Sequence, residues 1–119
     1  MMNDIHLIAN RLVQLVREKK FIEAQQELFS TDAINQEPDK LKDRSVSGLD
    51  SILKKEMRFN ASIKEWNSLE VSDPLVADDF FSIQLKMEII LRNDQKVALN
   101  EIGVYEVRNG KIISERFYF

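Results

Sequence analysis

The sequence predicts an α+β fold, with three amphipathic helices first and strand-like sequence after them. Apolar residues recur at helical spacing in the first half of the chain, and alternate at every second position beyond Ala61. The pair Asn109-Gly110 stands between two runs rich in β-branched and aromatic residues, a pattern typical of a hairpin. The helices can bury their apolar stripes only by lying across one face of the sheet. At 119 residues, one domain spanning residues 1–119 is expected.

The three helices are predicted from apolar spacing and from the residues that flank it. The first runs from Asn3 to Lys19, with Asn3 or Asp4 as N-cap. The second covers residues 21–29, and the third covers about residues 49–61. The buried stripe of the third helix is predicted to contain Leu49, Ile52, Leu53 and Met57, with Phe59 as a further candidate.

The strands are predicted from alternation and from turn residues. A short strand over residues 33–37 is stopped by Pro38, and the polar stretch that follows is predicted to be a loop. Longer strands cover residues 63–71 and 76–91, and the closing hairpin occupies residues 100–119. Alternation in the second long strand predicts one buried face and one wetter face.

Composition excludes several classes of function. The formal charge of −3 and the pI of about 5.2 give no basic surface for nucleic acid or an anionic membrane. No apolar run is long enough for a membrane-spanning helix, and there is no cysteine for disulfides or thiolate ligands. With a single histidine as well, neither a metal site nor a bound cofactor is expected. A cytoplasmic location is the expectation.

Two glutamates, Glu101 and Glu115, interrupt the apolar pattern of the closing hairpin. A carboxylate on the inner face of a sheet costs free energy unless it is paired or hydrated. These residues therefore predict a lined cavity rather than a dry core.

The hairpin turn decides whether the two glutamates share a face, because a slip of one residue moves side chains to the other side. A two-residue Asn109-Gly110 turn pairs Arg108 with Lys111 and separates Glu101 from Glu115. A three-residue loop with a bulge at Gly110 pairs Val107 with Lys111 instead. The second register is favoured, because it places Gly103 opposite Glu115 and gathers one set on one face: Leu99, Glu101, Gly103, Tyr105, Ile113, Glu115, Phe117 and Phe119.

Three segments carry a resemblance to a known family. They are residues 32–38 (Asp-Ala-Ile-Asn-Gln-Glu-Pro), residues 48–52 (Gly-Leu-Asp-Ser-Ile), and the ending over residues 109–119. With the order of elements, they resemble the nuclear transport factor 2-like superfamily and, within it, the small bacterial SnoaL-like proteins. The resemblance implies a cone-shaped fold, in which the three helices pack on the concave face of a strongly curved, mainly antiparallel sheet. It also implies a deep apolar pocket, and a homodimer through the outer sheet face with residues such as Ile102, Val104 and Tyr118.

Ketosteroid isomerase belongs to the same superfamily, and its three catalytic groups can be compared with individual residues of this chain. Its general base precedes a proline at the end of the first strand, where this chain has Glu37-Pro38. Its oxyanion-hole aspartate falls near Gly103, two residues from Glu101, and its helix-1 tyrosine falls near Leu12. One of three groups matches, so ketosteroid isomerase activity itself is not expected.

The candidate catalytic residues are Glu37, Glu101 and Glu115, and the candidate ligand-binding residues are Trp66, Tyr105, Phe117 and Phe119. The resemblance implies a small-molecule-binding protein with an acidic and aromatic pocket. Such a protein could be a cofactor-free isomerase, cyclase or lyase that acts on an unidentified hydrophobic carbonyl compound. The alternative is a non-catalytic dimeric ligand carrier or interaction module.

Each candidate also has an ordinary structural interpretation. Glu37 could be a solvated carboxylate near Lys40 or Lys42. Glu101 could pair with Arg58 or Arg116, and Glu115 could lie exposed at a sheet edge. Trp66 and Tyr105 could belong to the core or to an interface.

Overall fold

The computed structural model describes residues 4–119, which form helices packed on a curved, mostly antiparallel sheet. The predicted α+β class is confirmed. The helices are α1 (Ile5–Arg17), α2 (Phe21–Leu28) and α3 (Leu49–Ser62). Within residues 4–119, no helix is both long and apolar enough to cross a membrane.

Helix α1 begins where a side chain can satisfy its free backbone donors. The Asp4 carboxylate accepts hydrogen bonds from the backbone N–H groups of His6 and Leu7, which makes Asp4 the N-cap. The alternative cap, Asn3, lies outside the described residues. The buried stripe of this helix holds six residues, Ile8, Ala9, Leu12, Val13, Leu15 and Val16.

The sheet described within residues 4–119 has seven strands in the order β2-β1-β7-β6-β5-β3, with β4 paired to β5. Within residues 4–119, β1 and β7 are the one parallel pair, and the other neighbouring strands are antiparallel. The strands are β1 (Phe29–Gln36), β2 (Val46–Ser47), β3 (Ile63–Val71), β4 (Leu75–Ala77), β5 (Phe80–Leu91), β6 (Lys96–Arg108) and β7 (Lys111–Tyr118).

Two predicted segments differ from the observed elements. The strand predicted over residues 76–91 is two strands, because Asp78 adopts a positive φ of 51° and turns the chain between β4 and β5. The loop predicted after Pro38 contains a 3₁₀ helix (Asp39–Arg44) and the short strand β2. Strand β2 pairs with β1 and so belongs to the sheet.

The apolar face of helix α3 is narrower than its sequence predicts. Ile52 is its single fully buried residue, and Met57 is 51% exposed, so the prediction of Met57 as core is wrong. The reason is that α3 forms a wall of a cavity instead of packing flush on the sheet. It turns Lys55, Glu56 and Phe59 towards that cavity.

The hairpin between β6 and β7 closes with a two-residue turn, so the predicted three-residue loop is wrong. Arg108 pairs with Lys111, and Asn109 and Gly110 both have positive φ, 53° and 77°. The register then shifts by one residue, because Val107 pairs with Ile112 whereas Glu106 pairs with Ser114. Ile113 is the extra residue of a bulge.

The bulge restores the facing that the longer loop was expected to produce. Beyond it, Tyr105 lies opposite Glu115, and Gly103 lies opposite Phe117. The prediction that Gly103 lies directly opposite Glu115 is therefore wrong. Ile112, fully buried in the core, takes the inward place that had been assigned to Ile113.

Candidate functional site

A cavity of about 640 Å³ lies between the three helices and the concave face of the sheet. Its volume falls within the range of pockets that hold small organic molecules. Apolar and aromatic side chains make much of its wall, among them Leu12, Phe21, Phe29, Phe59, Leu85 and Phe117. Acidic and basic side chains also line it: Glu37, Asp43, Glu56, Glu101, Glu115, Arg44, Lys55 and Arg58.

Lys55 is the centre of the polar wall. Its Nζ donates hydrogen bonds of 2.7 Å to Asn35 Oδ1, Glu37 Oε2 and the Arg44 carbonyl oxygen. These contacts join α3 to the end of β1 and to the 3₁₀ helix. The ammonium group is fully engaged, because three donors meet three acceptors. Glu37 is thus an ion-paired residue of the cavity wall and not a solvated carboxylate beside Lys40 or Lys42.

Glu115 lies deep in the sheet and is only 6% exposed, which is incompatible with an exposed edge position. Asn35 Nδ2 donates a hydrogen bond of 2.8 Å to Glu115 Oε1. Burial raises the pKa of Glu115, while the hydrogen bonds from Asn35 and Tyr105 and the charge of Lys55 oppose that rise. The expected consequence is a carboxyl group that retains its proton more readily than an exposed one.

Glu101 extends into the cavity from β6 and takes part in none of the ion pairs found within residues 4–119. The suggested pairs with Arg58 and Arg116 are therefore not formed. Burial raises the pKa of Glu101 to about 7, and further contributions come from the neighbouring carboxylates Glu37, Glu115 and Glu56. Lys55 opposes the rise.

Glu56 and Gln25 form a second polar group, on the helical side of the cavity. Gln25 Nε2 donates a hydrogen bond of 3.0 Å to Glu56 Oε1. Burial raises the pKa of Glu56 to about 7 and the charge of Glu115 adds to the rise, whereas Gln25 and Lys55 oppose it. Neither Glu56 nor Gln25 had been predicted as a site residue.

Tyr105 is buried in an aromatic cluster beside the acidic groups. Its ring stacks on Phe81, with centroids 4.9 Å apart, and meets Phe29 edge to face at 6.5 Å. Burial and the adjacent Glu115 raise its pKa well above the ordinary tyrosine value. The hydroxyl is therefore a hydrogen-bond donor across the usual pH range.

Gly103 makes room for this cluster. A Cβ atom at position 103 would lie 3.0 Å from Tyr105 Cε1 and 3.2 Å from Phe117 Cε1. The absence of a side chain lets both rings lie against the strand.

Six of the seven candidate residues line the cavity, namely Glu37, Glu101, Glu115, Tyr105, Phe117 and Phe119. The seventh, Trp66, is not among the lining residues. Its ring stacks on the outer side of Phe21 at 5.7 Å between centroids, and Lys19 Nζ lies 5.4 Å from its centroid. Phe21 occupies the place in the wall that had been assigned to Trp66.

The sequence contains a signal for Lys55 and Glu56, which were missed on α3. Ile52, Lys55, Glu56 and Phe59 recur at spacings of three and four, which places them on one helical face. Asn35, on β1, and Glu37, directly after it, likewise alternate. Charged residues on a helix usually face solvent, so this signal is recognisable only when a cavity is already expected.

Among residues 4–119, no group of three or more histidine, cysteine, aspartate or glutamate side chains is arranged to hold a metal ion. The carboxyl groups of the cavity are instead engaged by Lys55, Asn35 and Gln25, or face the open space. The arrangement is suited to proton transfer and hydrogen bonding.

Solved structures of the same fold come from several bacteria. A candidate SnoaL-like polyketide cyclase from Mesorhizobium loti superposes with a TM-score of 0.88 and 25% identity, over 97% of this chain and 98% of that chain. A nuclear transport factor 2-like protein of unknown function from Burkholderia pseudomallei superposes with a TM-score of 0.75 and 12% identity, over 100% of this chain and 91% of that chain. TerC, co-crystallised with polyporic acid, superposes with a TM-score of 0.72 and 14% identity, over 100% of this chain and 92% of that chain. The last two likenesses establish the fold alone.

Sequence comparison gives the family. No curated protein matches the chain. A family model described as the SnoaL-like domain matches residues 4–119, which is nearly the whole sequence. The chain belongs to the SnoaL-like domain family.

Proposed function

We propose that this protein binds an apolar carbonyl compound in its cavity and catalyses a proton transfer on it without a cofactor, as an isomerase, cyclase or lyase. The observation that carries the proposal is the Glu101 carboxyl, which faces the cavity with a pKa raised to about 7. A group that titrates near neutral pH can both accept and return a proton under ordinary conditions.

The other polar groups have complementary roles in this proposal. Ionised Glu101 takes a proton from the carbon next to the carbonyl, and negative charge develops on the carbonyl oxygen. Protonated Glu115 is a donor suited to hydrogen-bond that oxygen, and the Tyr105 hydroxyl donates in turn to Glu115. Glu101 then returns the proton at another carbon for isomerisation. In exchange, Glu101 first trades this proton for one from solvent and returns the new one to the same carbon. Glu37, fixed by Lys55, is a second acceptor, and its charge acts on Glu101.

The apolar wall supports binding of a hydrophobic body. Phe21, Phe117 and Phe119 offer aromatic surface around the acidic groups. The fold also accommodates small organic molecules elsewhere, since TerC was co-crystallised with polyporic acid.

Binding and proton transfer are tested separately with the ketone benzylacetone. Trp66 is the single tryptophan and stacks on Phe21, so its fluorescence should change when a ligand contacts Phe21. Phe21→Ala should weaken binding as followed by NMR, while Trp66→Phe should leave it within about 2-fold, because Trp66 lies behind the wall. Failure of benzylacetone and of related apolar ketones to bind would contradict the proposal.

Proton transfer is measured as deuterium incorporation next to the ketone carbonyl in heavy water. The protein should accelerate the exchange, and Glu101→Gln should reduce the rate by about 100-fold or more. The matched control is Glu88→Gln, which removes an exposed carboxylate from the outer sheet face. Binding without exchange would favour a ligand carrier over an enzyme.

A second candidate, a dimeric carrier or interaction module, is favoured by the outer sheet face. Ile102 and Tyr118 are cross-strand neighbours there, and they are 49% and 53% exposed. A second copy of the chain would cover these side chains and remove them from water. Analytical ultracentrifugation should then show a dimer that Ile102→Lys dissociates. A wild-type monomer at micromolar concentration would contradict this assembly.

A further inference from the structure

The helical wall of the cavity presents two hydrogen-bond acceptors that the proposed proton transfer does not use. Gln25 of α2 is only 6% exposed, and its Oε1 has no hydrogen-bond partner within residues 4–119. Its amide nitrogen is occupied by Glu56 Oε1. An amide carbonyl therefore lies beside a carboxyl group, and both residues line the cavity.

The nearest cation cannot serve these acceptors. Lys55 is adjacent to Glu56 in sequence, but its three hydrogen bonds go to Asn35, Glu37 and the Arg44 carbonyl. Those contacts direct its ammonium group to the end of β1 and the 3₁₀ helix. Glu56 takes part in none of the ion pairs of the described residues 4–119.

Such a pair of acceptors is costly in the empty protein. A buried carbonyl without a donor loses its hydration and gains nothing in return. Glu56 is subject to a similar cost as a carboxylate, since burial and the charge of Glu115 favour its neutral form. A ligand that brings hydrogen-bond donors and positive charge would relieve both costs at once.

We propose that Glu56 and Gln25 form a subsite for a protonated amino group, so that the substrate is an apolar carbonyl compound that also bears an amine. An ammonium group offers three donors: one for Glu56 Oε2, one for Gln25 Oε1 once the sealed Gln25 amide turns towards the cavity, and one for water. The identification of the substrate class rests on the proposed function, because it assumes that the same cavity holds the carbonyl compound.

Three probes of similar size separate the two ideas: phenethylamine, phenethyl alcohol and benzylacetone. Their affinities are measured by NMR chemical-shift titration near pH 8, where an aliphatic amine is still protonated. Phenethylamine should bind about 10-fold or more tightly than phenethyl alcohol, as expected for a hydrogen bond to a charged group. Equal binding of the amine and the alcohol would overturn the amino subsite.

Two variants locate the effect. Glu56→Gln keeps the shape and an oxygen for Gln25 Nε2, and should reduce the preference for the amine by about 10-fold, with benzylacetone unaffected. Gln25→Leu removes the unpartnered carbonyl and should reduce that preference severalfold, and it carries the test if Glu56→Gln does not unfold cooperatively. Glu88→Gln, on the outer face, is the control for lost charge and should change nothing. A preference for the amine that survives both substitutions would overturn the assignment.

The pH dependence of amine affinity is an independent test of the role of Glu56. Glu56 is surrounded by Glu115, Glu101, Lys55 and Gln25, and its pKa is raised to about 7. Amine affinity should therefore rise about 10-fold between about pH 6 and pH 8 as the carboxyl group ionises, with no such rise for the alcohol.

The outcomes distinguish this inference from the proposed function. If benzylacetone binds and exchanges deuterium while the amine binds no better than the alcohol, the proposed function stands and the amino subsite is refuted. If the amine binds through Glu56 but no ketone binds, the subsite stands alone and the carbonyl chemistry is refuted. If none of the probes binds, both proposals are refuted.

Discussion

Lys55 and Glu115 lie at the two ends of a short hydrogen-bonded chain whose middle member is Asn35. Lys55 Nζ donates to Asn35 Oδ1 at 2.7 Å, and Asn35 Nδ2 donates to Glu115 Oε1 at 2.8 Å. Both functional atoms of the amide are thereby fixed, which sets its orientation. The helix α3 thus determines how a carboxyl group of β7 is held, through a residue of β1.

Lys55→Met should destabilise the protein by about 1–3 kcal/mol, because it leaves Glu37 and two further acceptors without their donor. The ion pair of Lys55 and Glu37 is partly buried, because the Lys55 side chain is 25% exposed and the Glu37 side chain is 15% exposed. The measurement is the urea midpoint at constant m-value. The matched control is Lys64→Met, whose partner Asp94 is 74% exposed, and its loss should cost at most about 1 kcal/mol. Equal losses in the two variants would show that the internal position of Lys55 is unimportant.

Glu101→Gln should make the protein more stable above neutral pH. The pKa of Glu101 is about 7 in the folded protein against an ordinary value of 4.5, so the folded state binds this proton more tightly than the unfolded chain. The free energy of unfolding of the wild type therefore falls as pH rises from about 4.5 to about 7. The variant lacks this loss, and should gain about 1–3 kcal/mol at pH 8 that vanishes towards pH 5.

Thermal unfolding of both proteins across this pH range measures the difference. Glu88→Gln serves as the control, because an exposed carboxylate should shift the curve little at any pH. If Glu101→Gln raised the free energy of unfolding by the same amount at pH 5 and pH 8, titration of Glu101 would not be the cause of the gain in stability.

Gly103→Ala should cost about 1–3 kcal/mol, because the new methyl group overpacks the space between Tyr105 and Phe117. Phe117→Leu removes one of the two rings that the methyl group would meet. In the double variant, the penalty of Gly103→Ala should therefore be smaller than in the wild-type background. A double-mutant cycle on urea unfolding measures this coupling. Additive effects would mean that the strand, rather than the rings, absorbs the methyl group.

The fold class and the wall residues of the closing hairpin were predictable, because periodicity and alternation depend on local sequence. The inward facing of Glu101, Glu115 and Phe117 followed from the requirement that one sheet face be buried. The bulge at Ile113, which produces this facing, could not be predicted, because no glycine or proline marks its position in the sequence. The absence of Trp66 from the wall could not be predicted either. Trp66 lies on the same face as its buried β5 partner Ile89, and the stacked ring of Phe21, from α2, lines the cavity in its place.

The bulge itself gives a decisive test of how the hairpin places Glu115. Deleting Ile113 leaves Arg108 opposite Lys111, Val107 opposite Ile112 and Glu106 opposite Ser114 in an unbroken ladder. Tyr105 would still face Glu115, and because residues 112 and 113 are both isoleucine, the remaining one takes the buried place. The deletion should therefore fold cooperatively, with an NMR contact between the Tyr105 and Phe117 rings.

A deletion of Val104 in the partner strand is the control. It turns Gly103, Glu101 and Leu99 to the opposite face relative to Tyr105, because each residue of a strand points away from its neighbour. That chain should fail to fold or lose the cavity, although it too lacks one residue from the same hairpin. If the Ile113 deletion also failed to fold, the bulge would be required for the curvature of the sheet as well as for the facing of Glu115.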